Sequence, residues 1–370
     1  MNILFVLPVL SDSYYQKRIY KMSALGVKST VLGFERDHYK GKSWSIPTDS
    51  LGYLEHGNYI RRLGKLLKAF FKIRSNISTQ EALYAFNLDI LLICWAARLF
   101  KSKKIKLIYD IADIRSVMVE NGLISVLLRS IERLLVKRTS VVVVSSPAYI
   151  DGYFKDYQNI NQNFAVIENK VDKDLPKSES LRDQPDGNKD YITIGYFGML
   201  RCEYSLNFLK ELIKKSDGSI RLTLRGVFLN TEQFENEFNK LEYAHYGGSF
   251  VYPDDVGKMY SNIDLVWAAH LHGKTNTKWS ISNRFYQACY FFKPLIAQAG
   301  TMDAKRVNKY DIGCVLDLQD FPSSILTLQA IVDERLKQWE TNLKSMPEEV
   351  YTFTDEHKNL LKLIKNKENQ

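Results

Sequence analysis

Along this chain, short runs of consecutive apolar residues alternate with longer stretches whose apolar positions recur every three or four residues. The first pattern suits a strand buried on both faces, the second a helix with one buried side. The opening NILFVLP predicts a strand over 2–8. A loop at 11–13, a helix over 14–25 stopped by Gly26 and a second strand over 29–34 follow. Strands are expected over 82–86, 105–111, 140–146 and 164–168, with helices over 89–100 and 123–138 and another from Pro147, whose ring suits a first helical position. Residues 172–189, DKDLPKSESLRDQPDGNK, are polar, with two prolines and a glycine, and read as a linker. From Tyr191 the alternation restarts: YITIGYFG, a helix from about 206, IRLTLRG, a strand ending near 250, a helix from Pro253, then DLVWAAH. SISNRFYQACYFFKPLIAQAG, GCVLDL and a long helix over 323–346 complete it. Alternation of this kind predicts parallel sheets covered by helices. The fold class is α/β, two Rossmann-like doubly wound domains with their strand carboxyl ends facing across a cleft. The first spans 1–175, a linker 176–190, and the second 191–345.

The stretch 280–300 carries the sharpest chemical signal. Ser282 and Asn283 are helix-capping residues before an apolar run, and Lys293-Pro294 ends it. A helix start presents unpaired N–H groups and partial positive charge. With Lys278 before it and Arg284 in its first turn, this end suits a diphosphate. In the same half, YITIGYFG leads into Gly198-Met199-Leu200-Arg201, read as a loop in which glycine admits close backbone approach and arginine supplies a fixed cation. Arg225-Gly226 ends the next strand in the same manner. Asp110 and Asp113 follow a strand at the carboxyl end, where open α/β sheets bind ligands. His270 and His272 stand at the end of DLVWAAHLHG, beside the capped helix; a third metal ligand is not evident. There is no GxGxxG, so nothing points to a dinucleotide.

Bulk properties narrow the partners. The 370 residues suffice for two domains, and 45% apolar content supplies full cores. The net charge of +9 favours anionic partners. Four cysteines without a CxxC argue against a disulfide or zinc framework and for a reducing compartment. MNILFVLPVL lacks the basic start and small-residue cleavage site of a leader and reads as the first strand. Residues 58–75, NYIRRLGKLLKAFFKIRS, hold no acid. At helical period Arg61, Arg62, Lys65, Lys68, Lys72 and Arg74 fall largely opposite Leu63, Leu66, Leu67, Phe70, Phe71 and Ile73, which suits a helix lying on an anionic membrane. The basic residues interleave with aliphatics rather than stacking aromatics, and no reader motif appears, which weighs against nucleic acid.

Taken in order, IYDIADIRS, VVVVSSPAYI, VIENKVD, IGYFGMLR, the Tyr-Pro run before NIDLVWA and SNRFYQACYFFKPLIA resemble a GT-B glycosyltransferase of the family-4 type that builds bacterial surface polysaccharides. The resemblance covers nearly the whole chain. It implies a nucleotide-sugar donor in the C-terminal domain, an acceptor in the N-terminal one, and a terminal segment, 346–370, that crosses back to the first domain. By motif, Arg201 would hold the diphosphate, and Ser282, Asn283 and Arg284 would contact phosphate or sugar. Tyr252 and Pro253 would lie near the base, and Gln287 would face the ribose. Where the family has two glutamates eight positions apart, this chain has Trp279 and Gln287, and a frequent histidine is replaced by Ala112.

Glycosyl transfer needs cations against the charge that develops on the leaving phosphate. Arg201, Arg284 and the helix start meet that need, with Ser280, Ser282 and His270 as further polar contacts. An inverting enzyme needs a carboxylate base, for which Asp113 is the candidate and Asp110 the next. A retaining enzyme leaves deprotonation to the leaving phosphate, and the resemblance favours retention. No DxD loop is present; Asp254-Asp255 opens a helix. The expectation is a metal-independent enzyme with no cofactor beyond its donor. It would move sugar from a UDP- or GDP-linked donor to a polyprenyl-diphosphate-linked saccharide, on the cytoplasmic face of the membrane. Arg61, Arg62, Lys65, Lys68, Phe70 and Phe71 would dock it there. The alternatives are a non-catalytic GT-B partner, motivated by the missing glutamates, and a sugar-nucleotide epimerase on the same fold.

Overall fold

The computed structural model describes residues 1–36, 43–53, 59–99, 104–176, 190–271 and 276–366. The chain divides into two compact units, Met1–Glu168 with Thr354–Gln370, and Asn169–Phe353. The turn 169–175 therefore belongs with the second unit, where Val171 pairs with Thr352. Most of the linker, 177–189, lies outside the described residues.

The first unit holds a seven-stranded sheet in the order β3-β2-β1-β4-β5-β6-β7, every pair parallel. These strands are β1 (Asn2–Leu7), β2 (Lys28–Glu35), β3 (Thr48–Tyr53), β4 (Ala82–Phe86), β5 (Lys106–Ile111), β6 (Val141–Val144) and β7 (Phe164–Val166). β4 and β6 are buried along their whole length, as a strand covered by helices on both faces must be. The edge strand β3 (TDSLGY) has no apolar run and was not foreseen. The crossovers α2 (Tyr59–Asn76), α3 (Leu88–Arg98) and α4 (Leu123–Val136) all lead towards β7. Right-handed connection therefore lays them side by side on one face, with α3 packed against both others. The oppositely directed crossover α1 (Ser13–Ala24) takes the other face, where α12 (Glu356–Lys365) packs on it.

The second unit holds a six-stranded parallel sheet, β10-β9-β8-β11-β12-β13. The strands are β8 (Ile192–Leu200), β9 (Ile220–Phe228), β10 (Ala244–Tyr246), β11 (Leu265–Trp267), β12 (Leu295–Gln298) and β13 (Gly313–Leu316). Its helices are α5 (Glu203–Lys215), α6 (Gln233–Phe238), α7 (Val256–Ser261), α8 (Asn276–Trp279), α9 (Asn283–Tyr290), α10 (Met302–Tyr310) and α11 (Phe321–Ser345). Strand order reverses between β8 and β11, so the loops leaving those two strands diverge and open a crevice.

Candidate functional site

The crevice of the second unit is assembled from the ends of β8 and β11 and the start of α9. The sequence suggested that Gly198 and Gly226 end their strands. Instead both strands run on, to Leu200 and Phe228, with Gly198 opposite Gly226. Each has positive φ, +109° and +138°. A Cβ on Gly226 would lie 1.8 Å from the Gly198 carbonyl oxygen, so only glycine lets the two backbones pass. A Cβ on Gly198 would meet nothing within 4 Å, which leaves that backbone bare on one side.

Arg201 follows β8 and is exposed. The adjacent Cys202 sulfur caps α5, accepting from Ser205 N at 3.4 Å and from Leu271 N at 3.3 Å. Ser205 Oγ donates to the Ala269 carbonyl at 2.8 Å. These bonds tie the loop carrying Arg201 to the one carrying His270, which is half-buried. Arg284, in the first turn of α9, donates to the Trp267 carbonyl at 3.0 Å and lies 5.0 Å over the Tyr196 ring. Burial pushes the Tyr196 phenol up, while Arg284 and, more weakly, Arg201 pull it back. Arg284 thus packs on that ring, and the charge of Arg201 reaches it more weakly.

Ser282 is the cap of α9: its Oγ accepts from Phe285 N at 3.2 Å. Its own N–H donates to Asp303 Oδ1 at 3.0 Å. Asp303 sits in the first turn of α10, and burial pushes its carboxyl up against the pull of Ser282, Arg284 and Arg306. Sequence reasoning missed Asp303, since only tertiary structure brings α10 behind α9. Asn283 Oδ1 accepts from Asn169 Nδ2 at 2.5 Å, which joins the ENKVD turn to the helix start. Lys278, on α8, is exposed, and Ser280 half-buried. His272 lies outside the described residues.

Other expected contacts are differently engaged. Gln287 Oε1 accepts from the Tyr260 hydroxyl at 3.0 Å, so that oxygen is committed within the protein. Arg225 is engaged by its neighbouring turn: it donates to the carbonyls of Gly248 and Ser249, at 3.2 and 2.8 Å, and lies 3.8 Å from Asp255. It holds the 247–249 turn, and Gly247 leaves it room, since a Cβ there would come within 2.5 Å of Arg225 Cδ. Asp255 also accepts from Val251 N at 2.8 Å, which explains that carboxylate as a turn residue. Tyr252, joined to Pro253 by a cis bond, has its phenol pushed up to about 12 by burial first and then by Asp172 and Asp174. Among the described residues no group of three or more His, Cys, Asp or Glu is placed to hold a metal ion.

In the first unit the two candidate carboxylates part company. Asp110 is fully buried, 3.0 Å from Arg18 Nη1, and accepts from the Tyr84 and Tyr14 hydroxyls at 2.6 and 3.2 Å. Arg18 further donates to the Ile167 carbonyl at 3.1 Å. Burial pushes the Asp110 carboxyl up, but the guanidinium and both phenols favour its anion, and Asp110 stands as the anchor of a closed network rather than a base at the surface. Asp113, just beyond β5, is exposed. Its charge raises the carboxyl of Asp12, after the larger effect of burial. Asp12 caps α1, accepting from Tyr14 N at 2.9 Å. Asp12 is thus a second carboxylate near Asp113 that the sequence reading did not single out.

On α2, Lys68 and Phe71 are exposed, while Lys65 and Phe70 are half-buried, with Lys65 Nζ 5.5 Å over the Tyr53 ring. The side chains of Arg61 and Arg62 lie outside the described residues. The basic row is not wholly without counter-charge: Lys72 pairs with Asp49 at 2.6 Å. No helix among the described residues is long and apolar enough to cross a membrane.

The two parallel sheets with these strand orders define a protein of the GT-B glycosyltransferase fold. The chain is similar throughout to the succinoglycan biosynthesis protein ExoL of Rhizobium meliloti (strain 1021), at 26% identity over 335 residues, 87% of this chain and 83% of that protein. Among solved structures it superposes on sucrose-phosphate synthase from Thermosynechococcus elongatus with TM-score 0.74 and 13% identity, over 98% of each chain. It superposes on Anabaena Alr3699/HepE in complex with UDP and glucose with TM-score 0.70 and 15% identity, again over 98% of each. No family model matches the chain.

Proposed function

We propose that this protein is a glycosyltransferase of polysaccharide biosynthesis that takes its sugar from a nucleotide diphosphate donor. The observation that carries the reading is Arg284, in the capped first turn of α9, bonded to the end of β11, with exposed Arg201 leaving β8 on the other side of the sheet's topological switch point. Guanidinium groups and free helix N–H groups are what a departing diphosphate needs. The succinoglycan relative supports polysaccharide as the product, and the HepE complex, with UDP and glucose bound on the same fold, supports a UDP-linked donor.

The finer reading is retention without metal. The diphosphate charge would be met by arginine and helix dipole, with Asp255 already engaged in its turn. Asp113, beside Asp12, would face the acceptor, a polyprenyl-diphosphate-linked saccharide held at the inner face of the cytoplasmic membrane with α2 towards anionic lipid. Calorimetry against UDP, UDP-glucose, UDP-galactose and GDP-mannose tests the donor. Arg201→Ala should weaken the preferred ligand by about ten- to a hundredfold, the effect of one charge-assisted hydrogen bond. Binding of no nucleotide sugar would leave the non-catalytic alternative; activity that needs added Mn²⁺ or Mg²⁺ would reject metal independence.

A further inference from the structure

Helix α4 is mounted inside out. Its sheet-facing side carries Ser125, Arg129 and Glu132, all buried, beside Leu135 and Val136. Glu132 accepts from the Tyr109 and Tyr153 hydroxyls and from Gln158 Nε2, at 2.8, 2.6 and 2.6 Å. Arg129 donates to the carbonyls of Met118 and Glu120, both at 3.0 Å, and lies over Tyr157. The polar groups are thus satisfied inside, and the apolar ones face out. Leu123 is 91% exposed, Ile124 69%, Leu127 59%, and Val126 and Leu134 each 51%. At 100° per residue Leu123, Leu127 and Leu134 form one stripe, which spans about 17 Å at 1.5 Å per residue. Among the described residues nothing buries that stripe, although the same helix could have placed serine and arginine outward.

We propose that the outward face of α4 docks on an anionic phospholipid surface, inserting its leucine stripe as the apolar half of the membrane contact to which α2 brings charge. This rests on the membrane-surface reading above. Two features select lipid over a protein partner. First, the apolar surface is broad and continues across the helical layer, with Leu92 of α3 and Leu67 and Phe71 of α2 also exposed. Second, its charges are mostly basic, with Lys72 of α2 paired to Asp49. From Leu123 to Arg138 the only acid is the buried Glu132, and the stripe ends at exposed Lys137 and Arg138. α2 holds no acid, and α3 contributes Asp89 alone. Apolar side chains with basic flanks fit the headgroup boundary of an anionic bilayer, where lysine and arginine stems reach back to the phosphates.

The test uses the full chain and phosphatidylcholine vesicles with and without phosphatidylglycerol. The wild-type chain should partition onto the mixed vesicles and keep part of that binding in high salt. The four-fold variant L123S/I124S/L127S/L134S changes only exposed side chains and should lose at least about tenfold in partition, including in high salt. K65E/K68E should lose binding at low salt only. Because all four native cysteines are buried, Leu127→Cys can be labelled selectively with an environment-sensitive dye, which should shift to the blue on vesicles. Unchanged partition of the serine variant, a dye that stays in water, or a wild-type chain that ignores vesicles and instead dimerises through these leucines would each overturn the proposal. Nucleotide binding is measured separately without vesicles, so loss of the docking idea leaves the donor reading intact, and the reverse.

Discussion

The two sheets end in opposite ways at corresponding places. In the first unit the ends of β4 and β5 are closed by an arginine, an aspartate and two tyrosines that satisfy one another out of water. In the second, the ends of β8 and β11 leave a bare glycine backbone, an exposed arginine and a capped helix start. Topology is shared, so the difference is chemical. A charge paired in the interior holds a fold's strand ends together, whereas a charge left at the rim is available to a ligand. Breaking the first should be felt as stability, and breaking the second as affinity.

The largest effect should come from Asp110→Ala. It leaves the Arg18 guanidinium buried without its counter-ion, which costs about 3–5 kcal/mol. Hydrogen exchange resolved by segment should show β4 and β5 losing protection while the second unit keeps its own and binds nucleotide within about twofold of wild type. A normally protected Asp110→Ala protein with abolished transfer would reverse the assignment and make Asp110 the base after all.

Acid should separate the units next. His357 is buried where α12 meets α1, and its imidazole is pushed down to about 2, by burial first and then by Arg18, Lys21 and Lys17. The unfolded chain takes up that proton near pH 6.5 and the folded one does not, so stability is present above 6.5 and lost as pH falls. At about 1.4 kcal/mol per pH unit, the loss between 6.5 and 5 is about 2 kcal/mol. Asp110 and Glu132 titrate in the same unit with carboxyls raised by burial, an effect of opposite sign. The measurement is therefore the difference between wild type and His357→Gln, in which those groups cancel. Parallel stability curves for the two proteins from pH 7 to 5 would contradict the buried neutral imidazole.

Much of this was legible because buried parallel strands write themselves as unbroken apolar runs. The capped start of α9 was read correctly from Ser282 and the apolar run after it. Four things were not legible, each for a physical reason. The polar edge strand β3 and the hydrophilic α10 bury too little to leave a periodic trace. Gly198 and Gly226 looked like stops, because the sequence does not show that two glycines will face each other across a strand pair. The period of α4 revealed two faces but not which of them the sheet would take. Arg225 and Gln287 fell near the site in sequence, and only their partners show that each is already engaged.

The smallest effect asks whether the open site has any closed support. Ser282 N reaches Asp303 through a bond whose acceptor is an oxygen; the bond needs the oxygen, while burial works against its charge. Asp303→Ala should therefore cost about 1 kcal/mol by orphaning that N–H, and loosen the start of α9 enough to weaken nucleotide binding several-fold. Asp303→Asn keeps an oxygen of the same shape and should restore both. The pH sign adds a second reading. A carboxyl whose folded value is raised contributes most below its unfolded value, and that contribution disappears as pH rises through the folded one. Wild type should accordingly gain on Asp303→Asn as the solution is acidified, opposite to the His357 comparison. If Asp303→Asn is as weak a binder as Asp303→Ala at neutral pH, the negative charge itself orders Arg284 and Arg306, and the second unit also relies on a buried ion network like the first.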